Sequence, residues 1–331
     1  MTATVLVTGG AGYIGSVVVD QLLARACRVV VLDDLSTGHR TAVADAAELI
    51  EANIGDRAAV EGLFASRPVD AIVHLAAFAL VPESVAHPER YRANNVTAAR
   101  VLLDAAIAAG VRRFVFSSSC AVYGHPTRTP IDEDVPQAPV NPYGETKREF
   151  ERVLDEYATR HGLASVSLRY FNAAGATERR GEDHDPETHL IPNVLGVALG
   201  RRPAVDVFGT DYPTADGTAV RDYVHVDDLA DAHVRALDVP LAGAVALNLG
   251  SGAGHSVRQV VAAARRVTGH PIPAADRSRR PGDPPVLVAA AQRAATVLGW
   301  RPRRSGGREG LEDILASAWR WHRAHPRGYR S

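Results

Sequence analysis

Along the first half of the chain, apolar residues fall into short β-branched runs, each followed by a longer stretch of helical periodicity. "TVLVT" (4–8) is closed by glycines and leads into "SVVVDQLLARA", whose apolar positions recur at helical spacing. "RVVVLD" (28–33) predicts the next strand. "DAIVHLA" (70–76) and "RRFVFSSS" (112–119) predict two more, preceded by helix-like "DRAAVEGLFASR" (56–67) and "TAARVLLDAAIAAG" (97–110). A helix beginning near Pro142 leads to "LASVSLRYF" (163–171). Apolar strands alternating with helices of this length imply a parallel sheet covered on both faces. The expected fold is therefore α/β, a doubly wound parallel Rossmann sheet.

Beyond residue 172 the pattern loosens, and Gly, Pro and charge thicken through "ERRGEDHDPETHLIP", "PTADGTAVRDY" and "DRSRRPGDPP". The expected organisation is a nucleotide-binding domain over 1–172 and a smaller α/β lobe mainly over 173–331. "DYVHVDDLADAHVRAL" lies in a segment, about 219–240, expected to return to the first domain. The closing "GLEDILASAWRWHRAH" reads as an amphipathic packing helix.

Composition narrows the class. The 331 residues are 46% hydrophobic, enough for a large core, and carry a net charge of −1. That balance gives no reason to expect a nucleic acid or a membrane surface as partner. Two cysteines, Cys27 and Cys120, are too few for a disulfide framework and suit a reducing compartment. With no basic leader and no bilayer-length apolar run, a cytoplasmic location is expected.

"TGGAGYIGS" holds Gly10-x-Gly12-x-x-Gly15 between a predicted strand and a predicted helix. In that context glycines let the backbone approach a pyrophosphate, whose charge rests on the helix N-terminus. Asp33 closes the second strand, where its carboxylate can take the adenosine ribose hydroxyls. It would repel a 2′-phosphate, which favours NAD over NADP, although Arg40 lies close in sequence.

Lys147 is the only lysine; the other basic side chains are arginine. It follows Tyr143 by four residues, which puts both on one face of a helix. An ammonium about 5 Å from a phenol, at an effective dielectric near 20, favours phenolate by roughly 3 kcal/mol. On that ground the pair is expected to bring the phenol about two pKa units toward neutrality and make it a general base. "FSSSCAVYG" offers a hydroxyl at the neighbouring strand end to bond a substrate oxygen, with Ser117, Ser118 and Ser119 all eligible.

With these residues in place the chain resembles an extended short-chain dehydrogenase/reductase, specifically the UDP-galactose 4-epimerase (UDP-glucose 4-epimerase) family. The likeness runs nearly end to end, through "VTGGAGYIGS", "FSSSCAVYG", "NPYGETK", "LRYFN", "HLIP", the narrower "DYPTADGTAVRDYVHV", "RRPGD" and "LGW". It implies that Ser119 bonds the sugar 4-oxygen, Tyr143 is the base, and Lys147 anchors the ribose and tunes the tyrosine. It implies NAD contacts at Gly9, Gly12, Tyr13, Ile14, Asp33, Asn53, Ile54, Leu75, Ala76, Ala77, Asn94, Ser117 and Tyr170. UDP-sugar contacts are implied at Asn172, His189, Leu190, Phe208, Arg221, Arg280, Asp283 and Leu287. A homodimer is implied through helices over 94–109 and 142–160.

The chain departs from the family pattern in places. Asn53 stands where the family usually has aspartate, though an amide oxygen can still accept from adenine. Ala79 replaces a lysine of some relatives, and His189 replaces a common asparagine. Related sugar-nucleotide dehydratases and decarboxylases place acids just after the catalytic hydroxyl; here Cys120 and Ala121 stand there. That leaves oxidation at C4, rotation of the keto sugar, and hydride return. Other UDP-sugars, a net dehydrogenase and a non-catalytic NAD sensor are the alternative readings. "GEDHDPETH" could hold a metal, but a solvated loop bordering the substrate is the expectation, with no metal. Cys120 reads as a small buried residue.

Overall fold

The computed structural model describes residues 3–280, 282–304 and 306–330. The first strands are β1 (Thr4–Thr8), β2 (Arg28–Asp33), β3 (Glu48–Glu51), β4 (Ala71–His74), β5 (Arg113–Ser119) and β6 (Ala164–Tyr170). They are followed by β7 (Asn172–Ala174), β8 (Val205–Phe208), β9 (Val220–His225) and β10 (Ala244–Leu249). The last are β11 (Gly254–Ser256), β12 (Ala274–Arg277) and β13 (Val286–Leu287).

Seven of these form one parallel sheet in the order β10-β6-β5-β4-β1-β2-β3. Alternate residues of its apolar strands face opposite ways, as a pleat requires. Val5, Val7 and Val31 enter one core with the helices Tyr13–Ala24 and Val226–Ala236. Leu6, Val30 and Leu32 enter the other, with the helices Arg57–Ser66, Ala99–Ala108 and Pro142–His161. The doubly wound parallel sheet is as expected. The strand order reverses between β1 and β4, where the chain winds outward in opposite directions, which opens a crevice at the strands' C-terminal ends.

Two strands of this sheet escaped the sequence reading. β3 is short and begins and ends on glutamate, so it carries no apolar run. β10 lies far downstream, beside β6. The segment expected to return divides at His225. β9 belongs to a second sheet with β7, β11 and β13, whereas the helix after it packs on the first sheet. There Gln21 Nε2 donates to Asp227 Oδ1 at 2.7 Å.

The closing helix, Arg308–Ala324, buries Leu311, Ile314, Leu315, Ala318 and Trp319 in a third core with the helices Leu190–Ala198 and Val257–Thr268. It is a packing helix, as its apolar stripe suggests. No helix among the described residues is long and apolar enough to cross a membrane.

Candidate active site

One cleft of about 1060 Å³ lies across the crevice and receives side chains from both sheets. Every residue that the family resemblance implies for NAD, catalysis or UDP-sugar lines it, from Gly9 after β1 to Leu287 in β13, whereas Ser118, the third eligible serine, turns away to Glu151.

The nucleotide end begins at the glycines. Gly9 has φ +73°, and a Cβ there would lie 2.6 Å from the Ala76 amide. A Cβ on Gly15 would lie 2.1 Å from the Gly9 carbonyl. No side chain fits at either position, so the turn keeps bare backbone at the start of the helix, as a pyrophosphate needs. Asp33 is buried, accepting from the Ala11 and Leu35 amides at 2.9 Å each, which leaves lone pairs for a diol. Burial raises its pKa and the two amides lower it.

Arg40, the residue that could have favoured a 2′-phosphate, is paired with Glu51. Asn53 gives one amide hydrogen to Asp34 at 2.7 Å and accepts from Gly55 N–H at 2.8 Å, so one lone pair of its oxygen remains. Tyr13 lines the cleft with its hydroxyl committed to the Gly175 carbonyl at 2.6 Å. These residues fit NAD.

At the centre, Asn141 caps the helix Pro142–His161, accepting from Gly144 N–H at 2.9 Å. That cap fixes where Tyr143 and Lys147 emerge. Lys147 is buried, donates to the Ser117 carbonyl at 2.8 Å and lies 5.7 Å from the Tyr143 ring centroid. Ser119 ends β5 beside them.

The expected electrostatics do not hold. Burial pushes the Tyr143 phenol up to about 12, and the Ser119 hydroxyl only partly offsets this. Lys147 is itself pushed down to about 7 by burial, against the pull of Glu151. Coulomb attraction acts between two charges already formed. The dry pocket instead penalises making either one.

The sequence reading missed what lies behind this pair. Glu151 continues the four-residue step of Tyr143 and Lys147, which was a legible signal. It accepts from Arg169 Nε at 2.9 Å, from Ser118 Oγ at 2.5 Å and from Gln137 Nε2 at 2.8 Å. Asn95, not Asn94, is the structural member of its pair. It holds Phe78 through both backbone groups and meets Thr146 at 3.2 Å.

At the far end, Arg280 lies 4.0 Å over the Phe208 ring, and Arg221 pairs with Asp283. Leu287 is buried against Cys120 and Phe171. Cys120 is a buried thiol pushed up to about 12 by burial, too basic to be a nucleophile.

The 182–189 loop borders the cleft as expected but is not simply solvated, because Glu182 is only 5% exposed. Burial opposes a charge on His189, yet Glu182 and Glu187 overcome it and raise His189 to about 10. The aspartate–histidine lettering of this stretch concealed which carboxylate turns inward.

Comparison with known proteins places the site in context. A family model described as the NAD dependent epimerase/dehydratase family matches residues 5–250. A UDP-glucose 4-epimerase of Streptomyces lividans is 49% identical over 331 residues, 99% of each chain. The structure of UDP-glucose 4-epimerase from Brucella ovis in complex with NAD is 45% identical, with a TM-score of 0.91 over 96% of this chain and 98% of that one. The corresponding enzyme from Bifidobacterium longum, in complex with NAD⁺ and UDP, is 37% identical, with a TM-score of 0.93 over 98% of this chain and 100% of that one.

Proposed function

The chain belongs to the NAD dependent epimerase/dehydratase family, and we propose that it is a UDP-glucose 4-epimerase, interconverting UDP-galactose and UDP-glucose through a 4-keto intermediate. The observation that carries this reading is the single cleft, where the glycine turn, the Ser119–Tyr143–Lys147 group and the Arg221/Arg280 end meet with no further acid or base beside Ser119. Cys120 and Ala121 follow that serine, so dehydration has no proton donor there.

In this reading NAD, when bound, accepts the C4 hydride and returns it, and its oxidised ring adds positive charge beside the phenol. Gly9, Gly12, Tyr13 and Ile14 present backbone to its pyrophosphate. Asp33 takes the adenosine ribose, and Asn53 and Ile54 border the adenine. Leu75, Ala76, Ala77, Asn94, Ser117 and Tyr170 complete the wall. Ser119 holds the sugar 4-oxygen while Tyr143 removes its proton and later restores it. Lys147 orients the nicotinamide ribose and supplies the nearby cation. Arg221 and Arg280 face the diphosphate, for which guanidinium forks suit paired oxygens. Asn172, His189, Leu190, Phe208 and Asp283 shape the uridine and sugar ends. The keto sugar turns within the cleft and takes hydride on its other face.

A cytoplasmic setting accords with two cysteines that are both free. A homodimer is proposed through one helical layer, in which Tyr157 of Pro142–His161 bonds Asp104 of Ala99–Ala108 and Arg100 lies 3.8 Å from Glu156. One experiment tests the set. Purified protein should elute at about twice 35.2 kDa with NAD still bound, and convert UDP-galactose with no nicotinamide added. Active protein that carries no nucleotide and needs NAD in every assay would defeat the internal redox cycle. Steady NADH accumulation would point to a net dehydrogenase.

Leu287 sets the width of the sugar pocket in this reading. It lines the cleft from β13, in register with Arg221. Leucine leaves more room than tyrosine, so the N-acetyl pair should turn over weakly beside strong glucose/galactose activity. An apolar pocket discriminates by only about 1–3 kcal/mol per small group, which makes the preference tens to hundreds of fold. Leu287→Tyr should suppress the N-acetyl reaction and spare the other. Equal kcat/KM losses on both substrates would remove Leu287 from that role.

A further inference from the structure

A buried carboxylate needs a cation, and Glu182 has an unusual pair of neighbours. Its only ion-pair partners among the described residues are two imidazoles, His184 Nδ1 at 3.2 Å and His189 Nδ1 at 2.7 Å. No guanidinium or ammonium joins them. Glu187 adds a second carboxylate, 3.1 Å from His189 Nδ1 and 3.9 Å from His184 Nδ1. One ligand-capable atom from each of the four side chains lies within 4.8 Å of all the others. His184 Nδ1 is buried and has no hydrogen-bond partner, although it faces this cluster.

Two occupants could balance these charges. Protons on the imidazoles would neutralise the carboxylates, but His184 Nδ1, 3.2 Å from Glu182, makes no well-directed hydrogen bond there. A dication would take both nitrogens and both carboxylates at once. We propose that Glu182, His184, Glu187 and His189 form a binding site for a divalent transition cation of the zinc type. Zinc binds imidazole nitrogen at about 2.0–2.1 Å and carboxylate oxygen at about 2.0–2.2 Å, usually with four ligands. A tetrahedron of that size has edges of about 3.3–3.5 Å, within small side-chain movements of the separations here. Two nitrogen donors disfavour magnesium and calcium, which prefer oxygen alone.

The site is structural. Its four ligands close it, no proton or hydride of the proposed epimerisation passes through it, and only His189 is shared with the residues proposed to shape the substrate end. Its position gives it a use, because the loop it would pin leads straight into the helix Leu190–Ala198. The same stretch is already tied elsewhere: Asp183 accepts from the Tyr329 amide at 2.8 Å, and Arg180 meets Asp20 at 3.0 Å. A cation would fix the one part of this loop that faces the cleft. The inference shares His189 with the proposed substrate site, so its test reads zinc uptake and not turnover.

The test uses the full chain without a polyhistidine tag, stripped with a chelator and titrated with zinc by calorimetry, with bound metal measured after gel filtration. One zinc per chain is expected, together with a raised thermal midpoint, since a ligand of the native state stabilises it. Glu182→Gln and His184→Ala should each weaken zinc binding by at least about a hundredfold, more than losing an outer-shell partner costs. Tyr143→Phe should leave it intact. Should Glu182→Gln fail to fold, His184→Ala, at a partly exposed position, decides the matter. Absence of stoichiometric zinc would assign the cluster to protons alone. Equal uptake by the wild type and both variants would place the metal elsewhere; either result overturns the site.

Discussion

Replacing Tyr143 with phenylalanine should lower the rate of UDP-galactose conversion by several orders of magnitude and leave NAD bound. The ring stays, so the packing around the helix Pro142–His161 stays; only the group that moves the proton is lost. General-base contributions begin at about a hundredfold and reach about ten-thousandfold. Burial holds the phenol near 12, so the positive charge of the bound oxidised ring must help to form the phenolate. No other group on that wall is placed to substitute, since the adjacent Cys120 thiol is pushed as high. A coupled assay gives kcat, and the absorbance of denatured protein gives the nucleotide content. Retention of more than about a tenth of wild-type activity would show that the base lies elsewhere.

The largest stability effect belongs to Glu151→Ala. The Arg169–Glu151 pair is closed from solvent, with side chains 6% and 7% exposed, and Arg169 also reaches Tyr123 at 2.9 Å. Tyr123 passes the connection on to Asn248 of β10 at 2.8 Å. Such a pair is a poor argument for stability as it stands, because desolvation offsets much of the attraction. Removing one partner is different: it strands a guanidinium that cannot lose its proton. The cost should be about 3–5 kcal/mol. In urea the midpoint should fall with little change in slope. Glu151→Gln keeps the hydrogen-bonding shape and should lose less. A loss under about 1 kcal/mol for the alanine variant would mean that water reaches Arg169 in the folded state.

How far the sequence disclosed the molecule depended on whether a property was local. β1 and β2 are dense apolar runs, because strands buried on both faces have no polar side to display, while β5 is apolar over Phe114–Phe116 and β6 at Val166 and Leu168. β3, four residues bounded by glutamates, displays none of this and is recognisable only by its place beside β2. The glycine turn was legible because its requirement is steric and confined to seven residues. The Tyr143–Lys147 spacing was legible for the same reason, but its electrostatics were not. Proximity follows from helix geometry, whereas desolvation depends on Phe116 and on strands far away in sequence. Glu182 marks the limit. Among six titratable residues in eight positions, only tertiary packing decides which one turns inward.

The order of the main sheet bears on how the molecule can be divided. Its outermost strand, β10, is threaded in only after β7, β8 and β9 have been laid down elsewhere, and one face is roofed by the helix Val226–Ala236. A fragment ending near residue 172 would expose the whole edge of β6 and uncover Val17, Val166 and Leu168 beneath the missing roof. An unpaired edge beside uncovered valine and leucine is a template for aggregation. The two halves of the cleft are therefore interleaved by the path of the backbone. A shorter, minimal nucleotide binder cannot be obtained from this chain by truncation; it would need an internal deletion that joins residues 226–249 to the end of β6.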